Sequence, residues 1–181
     1  AGHAMAREAE RTILETRTRI ARFFGAPVTE RVIFTLNATD SLNMALKGLL
    51  KPGDHVITSH LEHNSVARPL NHLAALGVEV TRVASDSVGL IDLEALRRSS
   101  RRHTRLIVIS HASNVLGTVQ PIREVGRIAK ENGLLLIVDA AQSAGVLDID
   151  VEKMNISLLA VPGHKGLLGP TGTGALYIRE G

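Results

Sequence analysis

Residues 134–139 read LLLIVD, and AAQS follows them at 140–143. Five aliphatic side chains in succession leave no polar face, and six residues are too few for a buried helix. The run is therefore a strand covered on both sides. The same kind of run recurs as RLIVIS (105–110), HVITS (55–59), ISLLAV (156–161) and GALYI (174–178), with RVIFTL (31–36) read as a buried strand and VEVTRVA (78–84) as another. Helical patterns separate them. Met5, Ala9, Ile13, Thr16, Ile20 and Phe23 or Phe24 fall at helical spacing over 4–24, which predicts an amphipathic helix stopped by Gly25 and Pro27. Further helices are predicted at 41–50 before the Pro52-Gly53 turn, at 66–76 closed by Gly77, at 93–98 after the cap Asp92, and at 122–132. Apolar strands alternating with helices specify an α/β domain, a mostly parallel sheet with helices on both faces.

The bulk composition fits that reading. At 181 residues the chain is long enough for one domain with its own core, and 44% hydrophobic against 22% charged is ordinary for a globular protein. Aromatics make up 2%, with no Trp, so Leu, Ile, Val and Ala must build the core. A net charge of +3 and a pI of 9.7 do not call for a nucleic-acid partner. The densest basic cluster, Arg97, Arg98, Arg101 and Arg102, reads as a solvated helix end, an anionic contact being the other reading. The absence of cysteine excludes disulfides and thiolate metal sites from this stretch. No apolar run approaches the roughly 20 residues of a membrane span, and no signal-peptide pattern opens the chain. The expectation is a cytoplasmic protein with neither membrane nor nucleic acid as partner. The chain opens on Ala1 and closes on Gly181 just after a strand, so it is expected to be part of a longer protein.

Ligands of open α/β sheets bind outside the carboxyl ends of the strands, and polar signals gather there: NATDS after RVIFTL, HLEHNS after HVITS, HASN after RLIVIS, DAAQS after LLLIV and PGHK after LLAV. Asp139 closes an apolar run, where an unpaired carboxylate costs several kcal/mol. Lys165 sits in a Gly-His-Lys turn after another strand. The pair suits pyridoxal phosphate: a lysine amine can hold its aldehyde as a Schiff base, and a carboxylate can keep its pyridine nitrogen protonated. An arginine elsewhere is the plainer partner for Asp139. Thr39, leading from a strand into a helix, suits an anion such as a phosphate, or a helix cap by Thr39, Asp40 or Ser41. His63 reads as a ring that stacks on a flat cofactor and relays protons, against a surface-loop histidine. His60, Glu62 and His63 match no metal-binding spacing, and no metal is expected. Asn114 is either a donor to a phenolic oxygen or substrate carboxylate, or a turn residue. Gln142 would reach the ring oxygen if the chain turns there. GPTGTG (169–174) fits neither nucleotide fingerprint and reads as a tight turn back into the sheet.

Taken together, NATDSLNMALKGLLKPGD, LEHNSV, SHASNVLGT, VDAAQSAG and PGHKGLLGPTGTGALYI resemble the class V pyridoxal-phosphate enzymes of fold type I, on the cysteine desulfurase and selenocysteine lyase branch, along essentially the whole chain. The resemblance implies a single cofactor-binding large domain over 1–181, incomplete at both ends, with the small C-terminal domain absent. It implies that Lys165 carries the cofactor aldehyde, that Asp139 pairs with the pyridine nitrogen, that Gln142 and Asn114 lie near the ring oxygen and the substrate, and that His63 stacks on the ring. Ala38, Thr39 and His164 would hold the phosphate. Pro162 stands where the family commonly has serine in a Ser-Gly-His-Lys run, which removes one hydroxyl contact. The implied reaction takes sulfur from L-cysteine, giving alanine and an enzyme persulfide on a cysteine outside this chain. Lys165 and His63 would be catalytic, and a homodimer and a sulfur-acceptor protein would be partners. Selenocysteine lyase, class V aminotransferase and an inert large-domain fragment are the alternatives.

Overall fold

The computed structural model describes residues 3–180; residues 1, 2 and 181, which the expected domain includes, lie outside it. Seven strands form one sheet: β1 (Val32–Thr35), β2 (His55–Ser59), β3 (Glu79–Val83), β4 (Thr104–Ser110), β5 (Leu135–Asp139), β6 (Leu158–Pro162) and β7 (Gly174–Ile178). Their spatial order is β1-β7-β6-β5-β4-β2-β3. The pairs from β3 through β6 are parallel, and β7 runs antiparallel to both β6 and β1. Two antiparallel steps restore direction, so β1 points the same way as the parallel core.

The five helices are α1 (Ala4–Phe23), α2 (Ala38–Leu49), α3 (Asn64–Ala75), α4 (Leu93–Arg98) and α5 (Ile122–Glu131). Along β4 the aliphatic side chains alternate between two cores. Leu106 and Val108 pack with α2 and α3, while Ile107 and Ile109 pack with α4 and α5, and all four are fully buried. Helices on both faces are why these strands carry no polar alternation. On the α5 face Gly126 lies so close to Met154 that a Cβ there would strike its carbonyl oxygen.

Several boundaries differ from the sequence reading. RVIFTL is an edge strand, with Val32 buried but Ile33 and Phe34 exposed, because among the described residues no strand pairs with the outer side of β1. α2 begins at Ala38, three residues early, because Asn37 is its cap: Asn37 Oδ1 accepts from Asp40 N–H at 2.9 Å. α3 begins at Asn64 because the side chain of His63 caps it, an unusual capping residue that the Asn and Ser beside it obscure. β6 starts later, at Leu158. α1 has nearly the predicted length, yet Met5, Ile13 and Phe23 of its apolar stripe are exposed, and only Ala21 within the helix is buried. The arginine cluster is solvated as expected, with Arg97 on Glu131 and Arg101 on Glu79 in exposed pairs that solvent screens. Among the described residues no helix is long and apolar enough to cross a membrane.

The winding direction reverses between β2 and β4. β3 lies outside β2, and the chain then crosses back to lay β4, β5 and β6 on the inner side. Backbone pairing of β2 with β4 ends at Ile57 and Ile107, although the strands run on to Ser59 and Ser110. Such a reversal leaves a crevice at the carboxyl ends of the strands.

Packing at Gly126 and solvent exposure at Gly48 give opposite expectations for the same substitution. Gly126→Ala should lower stability by about 1–3 kcal/mol through overpacking. Gly48→Ala, in α2 with open space around it, should raise it by about 0.5–1 kcal/mol. Denaturant midpoints of the two variants against the parent check both.

Candidate active site

The carboxyl ends of β1, β2, β4, β5 and β6 enclose a cavity of about 230 Å³. Ala38, Thr39, His63, Asn114, Asp139, Gln142, His164 and Lys165 all line it, so the structure brings together every site residue expected from the sequence. Asn37, Ser65, Ser110, Ser113 and Pro162 line it too. None of these five was assigned to the site as a lining residue. Asn37 and the three serines were legible only as turn and cap chemistry, which the same residue types serve throughout the chain.

Asp139 is 3% exposed at the end of β5. Its Oδ1 accepts from Ala141 N–H at 2.9 Å, and no lysine, arginine or histidine stands within ion-pair distance among the described residues. Burial raises its pKa, opposed by the Ala141 hydrogen bond and by the nearby charges of His63 and Lys165. The arginine weighed as its plainer partner is not there.

Lys165 is exposed on the turn after β6 and makes no ion pair among the described residues. The turn is closed by Leu168 N–H to Lys165 O at 2.8 Å and Gly169 N–H to Gly163 O at 2.7 Å. Gly166 on this turn and Gly145 on the segment after β5 touch backbone to backbone, and a Cβ on either would collide with the other segment. That contact seats the lysine turn beside the Asp139 strand end. Pro162 ends β6 opposite Gly174 of β7, beyond the last pair with β5, where its missing N–H breaks no ladder bond to that strand.

At the opposite wall, His63 Nδ1 lies 2.7 Å from Ser65 Oγ and accepts from Ser65 N–H at 3.1 Å. In the neutral tautomer of the ring this acceptance leaves the hydrogen on Nε2. His63 is itself exposed, and Ser65 is buried. The third corner is the amino end of α2. Asn37 takes the N–H of Asp40, and the carboxylate of Asp40 turns back to accept from Leu36 N–H at 3.2 Å. The N–H groups of Ala38 and Thr39 have no acceptor among the described residues. Free amides, the helix dipole and the Thr39 hydroxyl together favour an anion. A neighbouring groove, lined by Lys47, Arg68 and His72 without a carboxylate, adds positive charge to that side.

Glu62, considered in the sequence only as one of three clustered metal-type residues, is engaged in none of that chemistry: no metal-binding group of three forms among the described residues. Its carboxylate accepts from Ser59 and Ser110. Burial pushes its pKa up to about 7; those hydrogen bonds oppose the shift, and the charge of Asp139 adds to it.

A sequence model described as aminotransferase class-V matches residues 1–181. The cysteine desulfurase IscS of Dictyoglomus turgidum is 41% identical over 183 residues, covering 99% of this chain and 46% of the relative. The mitosomal cysteine desulfurase of Trachipleistophora hominis is 44% identical over 184 residues, covering 98% and 41%. Among solved structures, the apo cysteine desulfurase from Thermococcus onnurineus NA1 superposes with a TM-score of 0.94 at 38% identity, covering 99% of this chain and 46% of that one. SspA in complex with cysteine gives 0.93 at 39% identity, covering 99% and 52%. The chain thus spans about half the length of the curated relatives it matches.

An ionised Asp139 costs the free protein stability. The contribution of its protonated form is complete below the ordinary carboxylate range and is lost as pH rises through the elevated pKa. Asp139→Asn keeps a carbonyl for Ala141 and has no charge to desolvate. It is expected to stabilise the ligand-free chain at pH 7 by on the order of 1 kcal/mol, with a gap that widens as pH rises and closes in acid. Urea titrations of both proteins from pH 4 to 8 check the sign and its pH dependence.

Proposed function

This chain belongs to the aminotransferase class-V family, and on that premise we propose that it is the cofactor-binding part of a pyridoxal-phosphate-dependent cysteine desulfurase. The observation that carries the proposal is Asp139: a buried carboxylate with no cationic partner among the described residues, lining the same cavity as an unpaired lysine. A protonated pyridine nitrogen would complete the first and an aldehyde the second. The free amides of Ala38 and Thr39 fit the phosphate. The donor set therefore suits the whole cofactor, from one end of the cavity to the other.

Bound here, pyridoxal phosphate would supply an aldehyde for the substrate's amino group and a ring able to accept the electron pair left at its α-carbon. Asp139 would keep the pyridine nitrogen protonated, its own burial strengthening the interaction. Lys165 would hold the aldehyde and, once exchanged for the substrate amine, act as a free base that moves the α-proton. His63, with Nε2 bearing its hydrogen and Nδ1 fixed by Ser65, would cover the ring and pass a proton to or from the reacting group. Asn114, Gln142 and His164 would orient the substrate and the remaining polar edges of the cofactor. Pro162 gives the phosphate no hydroxyl, so the amino end of α2 carries more of that contact.

Cysteine is favoured as substrate because the matched relatives are cysteine desulfurases and one neighbour was solved with cysteine bound. The sulfur would pass to a cysteine supplied outside this chain, which has none. A homodimer, a sulfur-acceptor protein and a cytoplasmic setting belong to the same proposal and rest on the family alone.

Incubation with pyridoxal phosphate followed by borohydride reduction should leave a pyridoxyl mass on the peptide containing Lys165, and none in Lys165→Ala. In the full-length protein Lys165→Ala should lower alanine release from cysteine by at least about 10²–10⁴-fold. Retained turnover in that variant would sink the assignment. A keto acid product in place of alanine would favour an aminotransferase.

A further inference from the structure

The crevice between β2 and β4 is bridged by side chains. His111 N–H points to β5, donating to Asp139 O at 2.9 Å, so the preceding N–H, of Ser110, faces β2. β2 offers it no carbonyl, because their backbone pairing has ended at Ile57 and Ile107. Thr58 Oγ1 instead donates to Val108 O at 2.9 Å, and Glu62 Oε2 accepts from Ser110 N–H at 2.9 Å and from Ser110 Oγ at 2.7 Å. Glu62 Oε1 accepts from Ser59 Oγ at 2.6 Å, and that oxygen accepts in turn from Leu61 N–H at 3.1 Å. One carboxylate thus joins the end of β2, its following turn and the end of β4.

The residue next to Glu62 is His63, and Ser110 is in register with Asp139. The imidazole is therefore held from two sides, its ring by Ser65 and its backbone by Glu62. We propose that Glu62 is a positioning residue of this site, a side-chain substitute for the missing β2–β4 ladder that fixes the turn carrying His63 over the cavity. The proposal rests on the reading of that cavity as the cofactor site. What the clamp needs is an acceptor oxygen for Ser110 and a second hydrogen-bonding atom for Ser59 at this reach, not a formal charge. A glutamine can accept from both Ser110 groups through its carbonyl and donate to Ser59 Oγ through its amide. An alanine removes the acceptor of the part-buried Ser110 N–H, and with it the hydrogen bonds that span the crevice.

The test compares Glu62→Ala and Glu62→Gln in the full protein by two readouts. In the cofactor-free state, hydrogen exchange of peptides covering 59–66 and 106–112 should lose about 10-fold protection in Glu62→Ala, with peptides from α5 and β6 unchanged and Glu62→Gln close to the parent. Absorbance titration with pyridoxal phosphate should show binding about 10-fold weaker in Glu62→Ala, largely restored in Glu62→Gln. Parental protection in Glu62→Ala overturns the proposal. So does a uniform loss across the sheet, or a Glu62→Gln variant as impaired as Glu62→Ala. If the parent protein itself takes up no pyridoxal phosphate, the cofactor reading fails on its own, and the exchange data still decide whether the clamp exists.

Discussion

A carboxyl group at the end of a fully covered strand has to be balanced by a proton, a cation or a ring of donors, and Asp139 has the amide of Ala141 and the hydroxyl of Ser65 but no cation within ion-pair distance among the described residues. Everything about β5 forces this. Leu136, Ile137 and Val138 are completely buried, with helices on both faces, so the strand delivers its last side chain into a space that water barely reaches. The five loops that converge there are the consequence of one sheet edge. β1 contributes only because two antiparallel steps through β7 turn it back into the direction of the parallel strands. Removal of either step would place Asn37, Ala38 and Thr39 at the far end of the molecule.

The second constraint is closeness of backbones. The lysine turn is brought to the β5 loop by glycine on both sides, Gly166 meeting Gly145 with no room for a side chain. Lys165 can therefore lie exposed at its tip while the base of its turn is fixed. At the other wall the support is polar: the split between β2 and β4 is spanned by Thr58, Ser59, Glu62 and Ser110. Close backbone contact positions the lysine side of the cavity, and side-chain hydrogen bonds position the histidine side.

The architecture was largely legible because each strand is a short aliphatic run and each helix a periodic one; the parallel core and the cap at Asp92 follow from those patterns alone. The convergence of the eight expected residues was legible for the same reason, since strand ends on one edge must meet. Burial of β1 was not, because an edge strand and a central strand have the same composition here, and exposure of Ile33 and Phe34 is a property of sheet order. The starts of α2 and α3 were missed because Asn37 and His63 compete with better-placed Thr, Asp, Asn and Ser for the role of cap. Glu62 was missed as a clamp because its partners lie on Ser110, 48 residues away, and are neighbours only through the β2–β4 crossover.

Two carboxyls at this edge also set how stability and ligand binding exchange. Asp139 and Glu62 both have raised pKa values, mainly through desolvation, and the charge of Asp139 adds to the rise at Glu62. Their protonated forms stabilise the free fold, and that contribution falls away as pH climbs, through about 7 in the case of Glu62. Near neutrality the empty site therefore carries a penalty that the rest of the fold must absorb. A ligand that places a proton or positive charge against Asp139 removes part of it and adds the usual stabilisation of a bound state over an unbound one. The cavity is thus least comfortable when it is empty and ionised. That penalty sits at the end of β5, and a cationic group placed against Asp139 would relieve it.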